Sequence, residues 1–102
     1  MPLNIRDDEN IKFLVSAILE LKTEDECYDF FEDLCTMTEL KSMSQRIVVA
    51  KMLREKSVYS EIVKETGAST ATISRVNRSL VYGRNGYDEI FNRLAQKKDA
   101  DE

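Results

Sequence analysis

The sequence predicts an all-α fold. Three observations carry this prediction. Apolar residues recur at spacings of three and four along most of the chain, β-type alternation is absent over any useful length, and helix breakers are scarce, with three Gly and one Pro in 102 residues. A chain of this length makes one domain or one subunit of a small oligomer. At 42% hydrophobic and 33% charged, its composition is that of a folded chain rather than a disordered one.

Six helices account for the pattern. The first runs over about Asp8–Leu21, where Ile11, Leu14, Val15, Ile18 and Leu21 form one apolar stripe and Asp7 or Asp8 caps the start. Thr23 and Glu26 match a capping box that opens a second helix presenting Cys27, Phe30, Phe31 and Leu34. A third, over about Thr38–Lys56, carries Leu40, Met43, Ile47, Val48, Met52 and Leu53. Arg54 and Lys56 in its last turn suit the negative end of the helix dipole. Two short helices follow, Ser57–Thr66 and Ser69 to about Leu80, separated by Gly67. Residues 81–86 read as a loop, because Asn85-Gly86 is a strong turn signal. Tyr87 to about Lys98 forms the last helix with Ile90, Phe91 and Leu94 inward, and residues 98–102 are expected to fray.

The net charge of −4 argues against a nucleic-acid binder, but it is unevenly distributed. Residues 1–40 hold three basic and eleven acidic side chains, a net of −8, whereas residues 41–94 hold ten basic and five acidic, a net of +5. A basic segment inside an acidic protein can mark a polyanion-binding region.

The twenty residues from Tyr59 to Arg78, YSEIVKETGASTATISRVNR, lie in that segment. A helix-turn-helix needs a residue at its turn that adopts a left-handed conformation cheaply, and Gly67 supplies it. It also needs an apolar inner face, supplied by Ile62, Ala68, Ile73 and Val76, with Val63 partly inward. Ser69 or Thr70 caps the second helix, whose outer face is Thr70, Ala71, Thr72, Ser74, Arg75 and Arg78. Small polar groups at the start of such a helix suit base edges in the major groove, and basic groups suit phosphates. Candidate DNA-binding residues are therefore Ser60, Lys64, Ser69, Thr70, Ala71, Thr72, Ser74, Arg75 and Arg78.

The run Ala71-Thr72-Ile73-Ser74-Arg75, with Ser79-Leu80 after it, Gly67-Ala68 before it and the Ile47–Arg54 helix ahead, resembles the Trp repressor superfamily, and within it the YerC/YecD-type branch. The resemblance spans about residues 34–97. It implies a six-helix TrpR-like fold assembled as an intertwined homodimer, with the Ser57–Leu80 hairpins as DNA-reading heads. In this organisation residues 1–56 form a helical dimerisation region, 57–80 the reading head, and 81–102 a C-terminal helix completing the same domain.

The resemblance also implies a candidate effector pocket at Gln45, Arg46, Arg75, Val76 and Ser79. Members that bind tryptophan hold its carboxylate with an Arg at the position of Arg75, leave room with a Gly where this chain has Val76, and stack an Arg over the indole where this chain has Gln45, with Arg46 one residue away. A one-residue slip turns a helical side chain by about 100°. With one of three positions matching, the chain is expected not to respond to tryptophan.

Apolar residues such as Phe13, Phe30, Phe31, Leu34, Leu40 and Met43 independently favour a homodimer, since a thin helical chain would leave them exposed. A two-fold dimer sets two recognition helices about 34 Å apart and predicts a palindromic site. The alternatives are a compact six-helix monomer and, for function, a helical protein-interaction module that does not bind DNA. The acidic clusters Asp7-Asp8-Glu9, Glu24-Asp25-Glu26 and Asp29…Glu32-Asp33 read as solvated helix surface.

Enzymatic activity is not expected. There is no His to activate Ser or Cys, no phosphate-cradling glycine loop, and no cofactor or metal motif. Cys27 and Cys35, eight apart, are too distant along one helix to form a disulfide and are expected to be reduced thiols. The stretch Met1–Asp8 lacks signal-peptide features and no segment is long and apolar enough to span a bilayer, so a cytoplasmic regulator with no membrane partner is expected.

Overall fold

The structure, a computed structural model, describes residues 4–101, with side chains described for residues 4–99. Met1, Pro2 and Leu3 of the N-terminal stretch and Glu102 of the tail lie outside the described residues. Among the described residues there are six α-helices and no strand. They belong to two compact units, one up to Met37 and one from Thr38 onward.

The first unit contains a short 3-10 turn, Ile5–Asp7, and helices α1 (Glu9–Leu19) and α2 (Glu24–Leu34). The Asn4 side chain accepts from the Arg6 amide and opens the 3-10 turn. Of the two candidate caps of α1, Asp8 is used: its carboxylate accepts from the amides of Asn10 (2.9 Å) and Ile11 (3.0 Å). The capping box of α2 forms with one difference. Thr23 Oγ1 accepts from the Glu26 amide, but the Glu26 carboxylate reaches back to the amide of Lys22, one residue before the cap. Phe30 and Phe31 meet edge to face, 5.5 Å between centroids. Neither helix buries a residue fully, and Phe13 and Leu19, outside the expected α1 stripe, are 71% and 77% exposed. Cys27 and Cys35 are free and half-buried.

The second unit contains α3 (Met37–Arg54), α4 (Tyr59–Thr66), α5 (Thr70–Tyr82) and α6 (Gly86–Asp101). Its core is Val49, Ala50, Ile62, Ala68, Ile73 and Val76, with Met52, Leu53, Leu80, Tyr87 and Phe91 packed around it. The core thus joins α3 to both helices of the hairpin. The buried face of α3 differs from the expected one: Val49 and Ala50 are fully buried, while Ile47 and Val48 are exposed. Apolar residues lie on several faces of this helix, so its periodicity alone does not select the side that the hairpin covers.

Several boundaries also differ, α1 ending at Leu19 rather than Leu21. Helix α3 stops at Arg54, and Lys56 follows it with φ 66°, where the amides of Lys56 and Ser57 return to the carbonyls of Leu53 and Met52. Helix α4 starts at Tyr59 with no side-chain cap. Val81 and Tyr82, expected in a loop, are the last residues of α5, so only residues 83–85 connect it to α6. Gly83 caps the end of α5, its amide returning to the Ser79 carbonyl at 2.9 Å in a position where a Cβ would collide with that carbonyl. Helix α6 continues through Asp101, beyond the expected end near Lys98, with no Gly or Pro after Gly86 to stop it.

Arg54 fastens α3 to α6. Its Nε lies 3.0 Å from the Asp88 carboxylate, Nη2 donates to Asn92 Oδ1 at 3.1 Å, and its guanidinium sits over the Phe91 ring, which stacks with Tyr87.

Candidate nucleic-acid interface

The hairpin of α4 and α5 is built as its sequence requires. Gly67 has φ 71° and ψ 5°, a left-handed exit from α4, and its amide returns to the Val63 carbonyl at 2.9 Å. Ile62, Ala68, Ile73 and Val76 all enter the core, and Val63 stays exposed. Ser69 caps α5, its hydroxyl accepting from the Thr72 amide and donating to Thr72 Oγ1, both at 3.1 Å. This pair of bonds locks the first turn of α5. It leaves Thr70, Ala71 and Ser74 as the exposed small side chains of that end, with Thr72 half-buried.

Lys64 on α4 and Arg75 and Arg78 on α5 are exposed, and among the described residues none forms an ion pair. Ser60, in the first turn of α4, is exposed as well. Unpaired cations on a hairpin surface are free to meet phosphates without first losing a protein partner.

The five candidate pocket residues lie in different surroundings. Gln45 is half-buried and its Nε2 donates to the Thr66 carbonyl at 3.1 Å, spanning twenty-one positions of sequence. Val76 is buried in the core, Arg46 Nη1 reaches Ser42 at 3.4 Å, and Arg75 and Ser79 are exposed. Ser79 instead lines a cavity of about 390 Å³ with Ile47, Arg84, Gly86, Tyr87 and Ile90. Among the described residues no group of three His, Cys, Asp or Glu side chains is placed to hold a metal, and no helix is long and apolar enough to cross a membrane.

Sequence reasoning did not anticipate the bond from Gln45 to Thr66 or the Arg54 cluster. Both depend on residues distant in sequence, and neither leaves a periodic or motif signal.

The profile of the Trp repressor protein family matches residues 9–95. The chain belongs to the Trp repressor family. That family is one of DNA-binding transcription regulators. The chain is 53% identical to the uncharacterized protein YerC of Bacillus subtilis (strain 168) over 83 residues, 81% of this chain and 80% of that protein. Two crystal structures share the fold. A TrpR-like protein from Eubacterium eligens ATCC 27750 is 60% identical with a TM-score of 0.84, covering 87% of this chain and 92% of the other. A candidate Trp repressor from Staphylococcus aureus is 46% identical with a TM-score of 0.85, covering 92% and 96%. Within the Trp repressor family the chain is thus of the YerC type.

Proposed function

We propose that this chain reads a two-fold symmetric duplex DNA site as a homodimer, represses transcription from it, and does not answer to tryptophan. The observation that carries this is the exposed set of Lys64, Arg75 and Arg78, free of ion pairs among the described residues, beside the small polar first turn of α5. Thr70, Ala71 and Ser74 meet base edges, and the cations, with Ser60, hold phosphates. Ser69 and Thr72, bonded to each other, act chiefly by keeping that turn in shape.

Exposed apolar side chains support the homodimer. Phe13, Val15 and Leu19 on α1, Ile47 and Val48 on α3, and Ile90 and Leu94 on α6 are too many for a small monomer to leave in water. Two-fold pairing sets the two α5 helices about 34 Å apart, the spacing of successive major grooves. Tryptophan has no place in this reading, because Gln45 is engaged by the Thr66 carbonyl and Val76 fills core space where an indole-binding member has Gly. The same reading assigns the protein no catalysis and places it in the cytoplasm.

Selection of binding sites from random duplex DNA with the purified protein tests this. A two-fold symmetric consensus is expected, and absence of enrichment would favour a protein-interaction module. Calorimetric titration with tryptophan is expected to show no heat of binding, and micromolar affinity refutes that part.

A further inference from the structure

We infer that Gln45 is a positioning residue for DNA recognition: by bonding the backbone at the end of α4 it orients the reading head on α3 with no bound effector. This rests on the DNA-reading assignment above. Helix α4 has eight residues, too few to hold a direction by itself. Its apolar contacts through Ile62 are non-directional and tolerate small rotations of the head. The Gln45 bond is directional and ends on a helix-terminal carbonyl that has no partner within α4.

From Thr66 the constraint passes on by two further bonds. Thr66 Oγ1 donates to the Ile62 carbonyl at 2.7 Å and accepts from the Ala68 amide at 3.1 Å. Thr66 therefore ties together α3, the last turn of α4 and the residue immediately before the Ser69 cap. Ala68 is itself buried, so a shift of Thr66 is transmitted to the first turn of α5 rather than absorbed in the connection. That turn is the part placed against base edges, where errors of an ångström cost hydrogen bonds.

The surroundings explain why loss of this bond would alter recognition more than folding. Gln45 and Thr66 line an open cleft with Lys41, Ser44, Val48 and Glu65. In a variant lacking the amide, water in that cleft can satisfy the Thr66 carbonyl but does not hold it at a fixed place on α3.

The test compares wild type with Gln45→Ala, Gln45→Glu, which has the shape but no donor at neutral pH, and Gln45→Lys, which restores a donor. Each is assayed on the selected duplex and on random duplex of equal length, with a melting curve for each protein. Gln45→Ala and Gln45→Glu are expected to lose roughly three- to tenfold in specific affinity per reading head, the worth of one net hydrogen bond. Gln45→Lys is expected to recover most of it. Gln45→Ala should leave random-duplex binding and the melting temperature near wild type. Wild type unfolded, dialysed and refolded without additives should bind as tightly as untreated protein. Should Gln45→Ala melt early, Gln45→Asn, one methylene too short to make the bond, is expected to show the same specific loss.

Wild-type specific affinity in Gln45→Ala, equal loss on both duplexes, failure of Gln45→Lys to recover, or a requirement for an added compound after refolding each overturns the inference alone. A wild type that selects no duplex overturns the DNA assignment with it.

Discussion

Replacing Arg75 and Arg78 together by Ala probes the reading head most directly. Both side chains are exposed and form no ion pair among the described residues, so their removal should shift the melting temperature by under a few degrees, equivalent to about 0.5 kcal/mol. On DNA the effect is large. Each phosphate neutralised contributes about 0.9 to the log–log slope of affinity against salt, so four arginines lost from a dimer lower the slope by about 3.6. Between 50 and 200 mM salt, about 0.6 in log units, a slope difference of that size makes the wild-type advantage fall about 150-fold. Fluorescence anisotropy on a selected duplex at several salt concentrations measures both slopes. An unchanged slope with unchanged affinity refutes the placement of the head, whereas a slope lowered by about half as much means that one of the two arginines meets a base rather than a phosphate.

Three further outcomes are expected. Ile62→Ala empties a fully buried site between α3, α4 and α5 and should cost about 2–5 kcal/mol in denaturant unfolding; a loss below about 1 kcal/mol would mean that the hairpin is not packed as described. Gly67→Ala meets no steric neighbour, so its cost is that of a left-handed backbone alone, about 1–2 kcal/mol, and a neutral substitution would contradict the turn geometry. The Tyr28 hydroxyl donates to Glu24, and that bond to a carboxylate holds the phenol above its usual 10.0. Because the folded value is the raised one, this contribution to stability is present below pH 10.0 and lost as pH rises through the folded value. Spectrophotometric titration of Glu24→Gln should show Tyr28 ionising at lower pH than in wild type.

Features set by neighbours a few residues apart were legible in the sequence. The Thr23 and Ser69 caps, the Asp8 start of α1 and the Gly67 turn each involve a side chain and a backbone group within three or four positions. The inward set Ile62, Ala68, Ile73 and Val76 was legible because two short amphipathic helices around a fixed turn have one way to share an apolar face. The net charge of −4 conceals the +5 of residues 41–94.

Helix α3 marks where local reading ends. Ile47, Val48, Val49 and Ala50 are consecutive and apolar, so any of them could face a core; within the single chain the hairpin buries Val49 and Ala50 and leaves the other two partly exposed. The extent of α5 through Val81 and Tyr82 was also hidden, because Asn85-Gly86 signals that a turn exists but not how few residues it needs. The amino-acid sequence by itself determined the helices, their caps, the hairpin and the chemistry of its outer surface, all products of interactions within one or two turns. The tertiary structure alone decided which side of α3 became interior and brought Gln45 to Thr66 and Arg54 to Asp88 and Asn92. Those pairings join residues more than twenty positions apart, whose meeting depends on how whole helices pack.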